Sequence, residues 1–501
     1  MNNILFSLII SLFAIFTTSV FGGEEVQREK FNNLRIYQVM VEAFQDGDPN
    51  RNYSVGYGPS PHHGDIKGIT KALPYIKNLG MNTIWLTPIF DSDKGSGLDL
   101  RLESTGYFCR DYFKIDPAFG TLTDAREMVD RAHELGLYVL FDGVFGHHKG
   151  EVKPSPTGKL PAGANNPVDY PGSLEFYKEV ATFWIDQLDI DGWRLDQAYQ
   201  VPAKYWPEIR SAVETKCAER KQAGETWGTL GYLVAEIWNT AENISKQGYG
   251  TVAEPALPSA FDFPLRYNLV QALAVEENGF GLQPAYVLNL GFLNSKKYPG
   301  HALPNLMLGN HDLVRFGDLI QRAGLGGPET ADYWKRHQCA FSFLTAFTGP
   351  ITIYYNEEIG AEVPNFAERI TQDCVKFDLC DDHVGRTAGK ITGLNKNEQA
   401  LYDYLSTLMG LRARHLALWN GERTNIMAGE HLYADLKTSA DEAILYILNT
   451  SNEKQIFKIN TINLPGNAAK DLLTAENFRP SGPNLEIQVN GLSSRFLMIK
   501  K

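Results

Sequence analysis

Cysteine is scarce in this sequence: there are five in a chain of 501 residues, and no two of them form a Cys-x-x-Cys pair. The scarcity excludes a dense disulfide framework, and the missing pair excludes the usual cysteine metal and redox motifs. Cys374 and Cys380 lie close enough in sequence to close a small loop, although the sequence does not show that they are bonded. The other three, Cys109, Cys217 and Cys339, are predicted to be small buried hydrophobic residues.

Positive charge is also in short supply. Lys and Arg together number 47 against 59 Asp and Glu, which gives a formal net charge of -12. Proteins that bind nucleic acid usually carry a basic face, so this balance argues against a nucleic-acid partner. A neutral or small polar substrate fits the composition better.

Long apolar runs are missing from the chain beyond its first 22 residues. The exception, Ile4–Val20, is uncharged and is followed by small residues that allow cleavage after Gly22. This pattern predicts a signal peptide over residues 1–22 and export to the periplasm or the cell exterior. The alternative is an uncleaved membrane anchor, which needs about 20 apolar residues and usually flanking positive charge. Because no second run of that length follows, no stable membrane span is expected after the signal is removed.

Apolar residues are nevertheless plentiful, at 43% of the chain, enough for one large core and a smaller second one. They form short strand-like runs that alternate with stretches of helical spacing, as in parallel βα units. The predicted strands are Leu34–Val41, Asn82–Leu86, Tyr138–Phe141, Gly192–Leu195, Tyr232–Ala235, Ala260–Phe263, Leu303–Leu308 and Ile351–Tyr355. Predicted helices are Ile66–Leu79, Leu122–Leu135, Leu174–Leu188, Ala203–Cys217 and Ala331–Phe347. Eight such units predict an α/β fold, a closed (β/α)8 TIM barrel whose active site lies at the carboxyl ends of the strands.

Two segments depart from a plain barrel. Residues 146–172, after the third strand, are rich in Pro, Gly and Asn and long enough for a small inserted loop or lid. Beyond a helix at Gln399–His415 the pattern changes to short strands with turn residues between them, which predicts a C-terminal antiparallel β-sandwich domain over residues 418–501. The catalytic barrel is then expected in two parts, residues 23–145 and 173–417.

Acidic residues stand at the ends of several predicted strands. Hydrolysis of a glycosidic bond needs one carboxylate at the anomeric carbon and one carboxylic acid at the leaving oxygen. Arg194 and Asp196 are two apart on one side of the fourth strand, where the guanidinium would keep the carboxylate ionised. Glu236 ends the apolar fifth strand, where partial burial would raise its pKa and suit it to donate a proton. Asp312 follows the seventh strand.

Each of these residues also has an ordinary structural interpretation. A lone Asp at a strand end is more often a helix cap or a loop hydrogen bonder than a catalyst. Arg194 and Asp196 could form a structural salt bridge, and a single His is usually a satisfied core or surface residue. The third strand likewise ends at Asp142 and is followed by His147, and four such strand ends in the same chain make the catalytic interpretation the stronger one.

Four motifs together resemble the α-amylase family, glycoside hydrolase family 13, over the chain from about Ile36 to its end. They stand at Asp142–His147, Gly192–Asp196, Ala235–Trp238 and Asn310–Asp312. The resemblance implies that Asp196 is the nucleophile, Glu236 the acid/base and Asp312 the transition-state stabiliser. It also implies sugar-binding or supporting roles at the cleavage subsite for Tyr107, Asp142, His147, Arg194 and His311.

The positions beside the catalytic residues differ from those of typical endo-acting α-amylases. Such enzymes have Lys-His at the third and fourth places after the nucleophile, whereas Tyr199 and Gln200 stand here. Trp238, two residues after Glu236, looks more like the oligosaccharide-degrading members of the family. Tyr199 and Trp238 are therefore counted among the predicted substrate-binding residues, and short α-glucosides are favoured over long starch.

Two possible calcium sites can be assessed from the sequence. Calcium-dependent α-amylases have an asparagine ligand just before the histidine of the first motif, but here that residue is Gly146, so the usual interdomain calcium is not expected. After the first strand, however, a loop offers oxygen ligands at close spacing, similar to a calcium loop in some cyclomaltodextrinases and neopullulanases. The predicted ligands are Asp46, Asp48, Asn52 and Asp65. The alternative is a solvated turn, and no organic cofactor is predicted.

The sequence thus predicts a retaining glycosidase that hydrolyses α-glucosidic, mainly α-1,4, bonds in maltooligosaccharides and in starch-derived or cyclic glucans by double displacement. Its expected partner is the α-glucan or maltooligosaccharide substrate. A transglucosidase or isomerase acting on short α-glucosides is the nearest alternative, because sugar can replace water in the second step. A remote alternative is an inactive carbohydrate-binding or scaffold protein. The sequence leaves the oligomeric state open.

Overall fold

The computed structural model describes residues 28–52, 60–92, 105–367 and 384–500. The predicted signal peptide, residues 1–22, lies outside these ranges and stays a prediction. Cys374 and Cys380 lie outside them as well. Cys109, Cys217 and Cys339 are free and buried, as predicted.

Eight parallel strands close into a barrel, which confirms the predicted fold class. They are β1 Arg35–Val39, β2 Thr83–Leu86, β3 Tyr138–Gly143, β4 Gly192–Leu195, β5 Tyr232–Ala235, β6 Ser259–Phe261, β7 Leu303–Met307 and β8 Ile351–Tyr354. Each strand pairs with its neighbours in sequence, and β1 closes the barrel against β8 with Arg35 opposite Ile351. All eight carboxyl ends therefore face the same side of the barrel.

Helices surround the barrel on the outside. They are α1 Val41–Phe44, α2 Ile66–Asn78, α3 Leu122–Glu134, α4 Leu174–Leu188, α5 Trp206–Gln222, α6 Ala241–Ile244, α7 Phe263–Leu273, α8 Val287–Ser295, α9 Phe316–Arg322, α10 Ala331–Ala346, α11 Lys396–Arg414 and α12 Leu416–Trp419. In the part of the chain that the structure describes, no helix is both long and apolar enough to cross a membrane.

Local caps explain where the structure shifts the predicted boundaries. The sixth strand ends at Phe261 and not at Phe263, because the Asp262 side chain accepts the Leu265 amide proton and starts α7 with a proline in its first turn. Likewise α5 begins at Trp206, after a 3-10 turn and with Pro207 in its first turn, and it continues to Gln222.

Two layers of apolar packing hold the barrel together. Inside the barrel, side chains such as Ile36, Trp85, Leu140 and Met307 form one buried cluster. Outside it, the apolar faces of the helices pack against the strands in a second, larger cluster. The rigid barrel supplies fixed strand ends, from which the site side chains project.

After α12 the chain forms two antiparallel sheets. The strands are β9 Glu422–Ala428, β10 Leu432–Thr438, β11 Ala443–Asn449, β12 Gln455–Asn460, β13 Ala468–Asp471, β14 Asn477–Phe478, β15 Asn484–Val489 and β16 Ser493–Lys500. Six of them form one sheet in the order β9-β10-β11-β16-β13-β14, and β12 pairs with β15 in the other. A separate apolar cluster that includes Leu445, Phe457 and Ile487 draws on both sheets.

Two features lie between barrel strands and helices. The sequence analysis missed an antiparallel pair, Phe90–Ser92 with Cys109–Ile115, which follows β2. The segment 146–172 after β3 folds back on its own first residue and on the residue before it. The Val168 amide donates to the Gly146 carbonyl (2.9 Å), and the Tyr170 hydroxyl donates to the Phe145 carbonyl (2.9 Å).

Candidate active site

A cavity of about 590 Å³ opens at the carboxyl ends of the strands. Most of the predicted site residues line it, namely Tyr107, His147, Asp196, Tyr199, Glu236, Trp238, His311 and Asp312. Asp142 and Arg194 lie beneath this lining with no exposed side-chain surface. The structure therefore brings all ten predicted catalytic and sugar-site residues to one place, in two layers.

The Arg194 guanidinium lies at the centre of the lower layer. Its Nη1 atom is 2.8 Å from Asp142 Oδ1 and 2.8 Å from Asp196 Oδ1, and its Nη2 atom is 3.7 Å from Glu236 Oε2. Burial alone would lower the pKa of Arg194, but these carboxylates together raise it above its usual value. Asp142 Oδ2 also accepts hydrogen bonds from the Tyr107 hydroxyl (2.8 Å) and from Trp85 Nε1 (3.1 Å).

The two oxygens of Asp196 have different surroundings. Oδ1 accepts the Arg194 hydrogen bond, whereas Oδ2 is buried and has no hydrogen-bond partner among the described residues. The Nε2 atom of His147 lies 3.8 Å from Oδ2. An oriented carboxylate with one uncommitted oxygen beside the cavity is suited to nucleophilic attack.

Glu236 is held by the chain that follows the nucleophile. The Gln197 amide donates to Glu236 Oε2 (2.9 Å), and the Ala198 amide donates to the Glu236 carbonyl (2.9 Å). To aim its amide in this way, Gln197 adopts a left-handed backbone conformation with φ 40°, which is uncommon for a residue other than glycine. Strained conformations of this kind persist where surrounding contacts over-determine them, often at active sites.

Burial raises the pKa of Glu236 to about 7, and the negative charges of Asp196 and Asp312 act in the same direction, while Arg194 opposes them. A carboxylic acid that keeps its proton near neutral pH can act as a general acid. Because Oε2 accepts the Gln197 amide proton and faces Arg194, the proton of the acid form belongs on Oε1.

Asp312 has a partner that the sequence analysis did not find. Arg386 Nη2 lies 2.8 Å from Asp312 Oδ1, and Arg386 Nε donates to the His311 carbonyl (3.0 Å). The Arg386 side chain is buried and lines the same cavity. It comes from the segment between β8 and α11, where no periodic pattern or motif marks it. Only its position in the fold reveals its contact with the third carboxylate.

Aromatic rings form the remaining walls. The Tyr107 ring stacks on His311 with centroids 5.3 Å apart. Trp238 is 42% exposed, but its ring stacks on Phe263 and its Nε1 atom donates to the Tyr267 hydroxyl (2.8 Å), so that the exposed face is rigidly supported. Flat apolar surfaces of this kind suit the C–H face of a sugar.

The predicted calcium ligands are close together, but other partners occupy them. Asp65 accepts three backbone amide protons, from Gly47, Asp48 and Gly68, and so serves as the cap of α2. Asp48 Oδ2 lies 3.2 Å from Lys67 Nζ and 3.4 Å from Arg51 Nε.

The other two predicted ligands, Asn52 and Asp46, hydrogen-bond to each other (2.8 Å). Among the described residues, no group of three or more acidic, His or Cys side chains is placed to hold a metal ion. The four predicted ligands are thus engaged with one another, with backbone amides and with two cationic side chains, an arrangement that does not fit a calcium site.

The sequence of this barrel matches a known family of catalytic domains. The model of the α-amylase catalytic domain matches residues 38–156 and 173–392. The chain therefore belongs to the α-amylase family and is a glycoside hydrolase, which confirms the resemblance found in its motifs. The gap between the two matched ranges falls in the segment that follows β3.

Several relatives are similar over most of their length. Neopullulanase 2 of Thermoactinomyces vulgaris is 26% identical, with 92% of this chain and 75% of the relative covered. A cyclomaltodextrinase of Geobacillus thermopakistaniensis is 28% identical, with 90% and 74% covered. Among solved structures, a glutamate-to-glutamine variant of AmyP in complex with maltotriose is 50% identical and has a TM-score of 0.92, with 95% of this chain and 99% of that chain covered. AmyP in complex with maltose matches with a TM-score of 0.91, again at 50% identity, with 95% and 98% covered.

The contact between Arg386 and Asp312 leads to a first prediction. Replacing Arg386 by Met should lower kcat by roughly a hundredfold, because Asp312 loses the donor that orients it toward the developing charge. Arg386→Lys keeps the positive charge but cannot bind Asp312 and the His311 carbonyl at the same time as a guanidinium does. Its kcat should therefore lie between that of the wild type and that of Arg386→Met. Steady-state kinetics with matched thermal melts measure both effects. Wild-type kcat in Arg386→Met would show that Asp312 needs no such support.

The poor match between the loop after β1 and a calcium site leads to a second prediction. Neither calcium nor a chelator should move the melting temperature by more than about 1 °C, because calcium would have to displace Lys67 and Arg51 from Asp48. Calorimetric titration of chelator-treated protein should show no binding heat. If heat and a stabilising shift are found, the same titration on Asp48→Asn decides whether this loop is the site.

Proposed function

We propose that the chain is a retaining glycosidase that hydrolyses α-glucosidic bonds, mainly α-1,4, in maltooligosaccharides and in starch-derived or cyclic glucans. The observation that carries this proposal is the division of roles among the acids around one cavity. Asp196 Oδ1 lies 2.8 Å from a buried guanidinium, a pairing that favours the carboxylate form. Glu236 is buried with a raised pKa, which keeps it protonated. Double displacement requires one carboxylate and one carboxylic acid in these states.

The first step uses the free oxygen of each group. Glu236 Oε1 delivers its proton to the glycosidic oxygen as the bond from that oxygen to the anomeric carbon breaks. Asp196 Oδ2 attacks the anomeric carbon from the opposite face and forms a covalent glycosyl ester. The positive charge that develops on the sugar ring is stabilised by the remaining carboxylates, including Asp312, which Arg386 orients.

The second step reverses these roles. Glu236, now a carboxylate, removes a proton from a water molecule, and the water oxygen attacks the anomeric carbon. The bond to Asp196 Oδ2 breaks and the nucleophile is regenerated. Two inversions at the same carbon give a product with the α-configuration of the substrate.

The proposed preference for short or cyclic substrates draws on the relatives and on the mouth of the cavity. The relatives are named neopullulanase and cyclomaltodextrinase, and AmyP is bound to maltose and maltotriose. At the mouth stand Trp238 and Tyr199, the latter 46% exposed. An aromatic surface there can stack on the sugar that leaves. We also propose that the chain is exported, on the pattern of residues 1–22 alone.

A substrate panel tests the proposal directly. Maltoheptaose, cyclodextrin, pullulan, sucrose and starch are incubated with the wild-type chain, and products are separated by chromatography. Hydrolysis of maltoheptaose or cyclodextrin to short α-anomers, seen by NMR before mutarotation, is expected.

Asp196→Asn should lower the rate by roughly three orders of magnitude or more. The matched control Asp186→Asn changes an exposed acid on α4 and should leave the rate unchanged. A β-anomeric first product, transfer to sugar in place of hydrolysis, or an active Asp196→Asn would contradict the proposal.

The raised pKa of Glu236 gives a pH dependence of known sign. The acid form is the active one in the first step, so kcat/KM should fall about tenfold per unit above the pKa of about 7 and level off about one unit below it. A maltosyl fluoride needs no protonation of its leaving group. With that substrate, Glu236→Gln should release fluoride without the alkaline decline. If the decline persists in Glu236→Gln, another group is responsible for it.

A further inference from the structure

Gln200, in the loop after β4, contacts two parts of the segment 146–172. Its Oε1 atom accepts a hydrogen bond from His147 Nδ1 (2.8 Å), which belongs to the loop after β3. Its Nε2 atom donates to Asn166 Oδ1 (3.0 Å), in the segment 146–172, and to Gln197 Oε1 (3.2 Å), next to the nucleophile. One amide thus joins the loop after β4 both to the start of the segment 146–172 and to a later part of it.

This network determines which way the Gln200 amide points. Gln197 Oε1 also accepts the Tyr199 hydroxyl proton (2.7 Å), and the same oxygen faces Gln200. Asn166 presents an oxygen as well, and only the NH2 group of Gln200 can donate to both. Gln200 Oε1 is therefore turned toward His147, and the His147 ring must carry its hydrogen on Nδ1 to make this bond.

Gly146 provides the space that Gln200 needs. A Cβ atom at position 146 would lie 2.5 Å from Gln200 Cβ and 2.5 Å from Gln200 Oε1. These distances are far shorter than any non-bonded contact between such atoms, so a side chain at 146 and the present conformation of Gln200 exclude each other. The glycine next to His147 and the glutamine opposite it form a matched pair.

We propose that Gln200 is a positioning residue for His147. By accepting the Nδ1 hydrogen it fixes the ring and leaves Nε2 of the neutral ring without a hydrogen. Nε2 then faces the cavity as an acceptor, 3.8 Å from Asp196 Oδ2. A sugar hydroxyl that enters beside the nucleophile donates to this nitrogen. The last statement rests on the proposed function, whereas the ring orientation does not.

The competing explanation is that Gln200 only fastens the inserted segment to the barrel. The two explanations differ in which of its hydrogen bonds matters. Gln200→Leu removes all of them, and Gln200→Glu keeps an acceptor for His147 but loses both donor bonds. Asn166→Leu removes the link to the inserted segment and leaves the His147 bond intact. If Gln200 positions His147, the ring should carry its hydrogen on the same nitrogen in the wild type, in Gln200→Glu and in Asn166→Leu.

Nitrogen NMR of histidine-labelled full-length chain reads this state directly. The His147 signals are assigned by their loss in His147→Asn, and spectra are recorded at a pH where the ring is neutral. In the wild type, Gln200→Glu and Asn166→Leu, the hydrogen is expected on Nδ1. In Gln200→Leu it should move largely to Nε2, which free imidazole side chains prefer. A wild-type ring with its hydrogen on Nε2, or no change in Gln200→Leu, would overturn the inference.

Kinetics add a readout that a structural role would not move. Gln200→Leu should lower kcat by roughly tenfold, and in a His147→Asn background the same change should have almost no further effect. Additive losses would mean that Gln200 does not act through His147. Should Gln200→Leu fail to fold, Gly146→Ala displaces the same side chain with one methyl group and gives the same spectrum. Since the spectra need no turnover, an inactive wild type would refute the proposed function and still leave the positioning role to be judged by the ring.

Discussion

The site depends on one buried guanidinium. Arg194 has no exposed side-chain surface, yet it lies within 2.8 Å of Asp142 and Asp196 and within 3.7 Å of Glu236. Three carboxyl groups this close would repel one another and shift toward their neutral forms if the cation were absent. The guanidinium stabilises the charged forms of its neighbours, whereas burial raises the pKa of both Asp142 and Glu236 to about 7. Removing one member of such a buried cluster costs more than its own hydrogen bonds, because the others lose their compensation.

The chain around this cluster supports the geometry with backbone groups. Gln197 accepts a left-handed conformation so that its amide reaches Glu236 Oε2 directly after the nucleophile. The nucleophile and the acid/base are therefore linked by a single residue, across two neighbouring strands. Rigid placement of this kind matters because displacement of a reacting group by about 1 Å can cost a hundredfold in rate.

Sequence patterns predicted the barrel and placed Asp196, Glu236 and Asp312 at strand ends for a physical reason, whereas the family resemblance implied the roles of Tyr107 and the other predicted site residues. Strands and helices have different periods, and parallel strands must end on one side. The same patterns could not show how deeply each side chain is buried. Arg194 and Asp142 lie under the cavity, although their positions on the strands resemble that of Asp196. Arg386 was missed because it reaches Asp312 from an irregular segment, where contacts depend on the path of the chain. The pair Phe90–Ser92 with Cys109–Ile115 was missed because one partner is only three residues long.

Charge balance explains why the cluster suits the proposed chemistry. Asp142 and Asp196 share the Arg194 guanidinium, and Asp312 is paired with Arg386, so the carboxylates around the cavity can stabilise the positive charge that develops on the sugar. When Asp196 forms the ester it loses its charge, and at the same time Glu236 becomes a carboxylate. The number of charges near Arg194 is thus the same before and after the first step. Because Arg194 lies within reach of both groups, it can stabilise the negative charge on either one, and the surrounding protein need not reorganise as that charge moves between them.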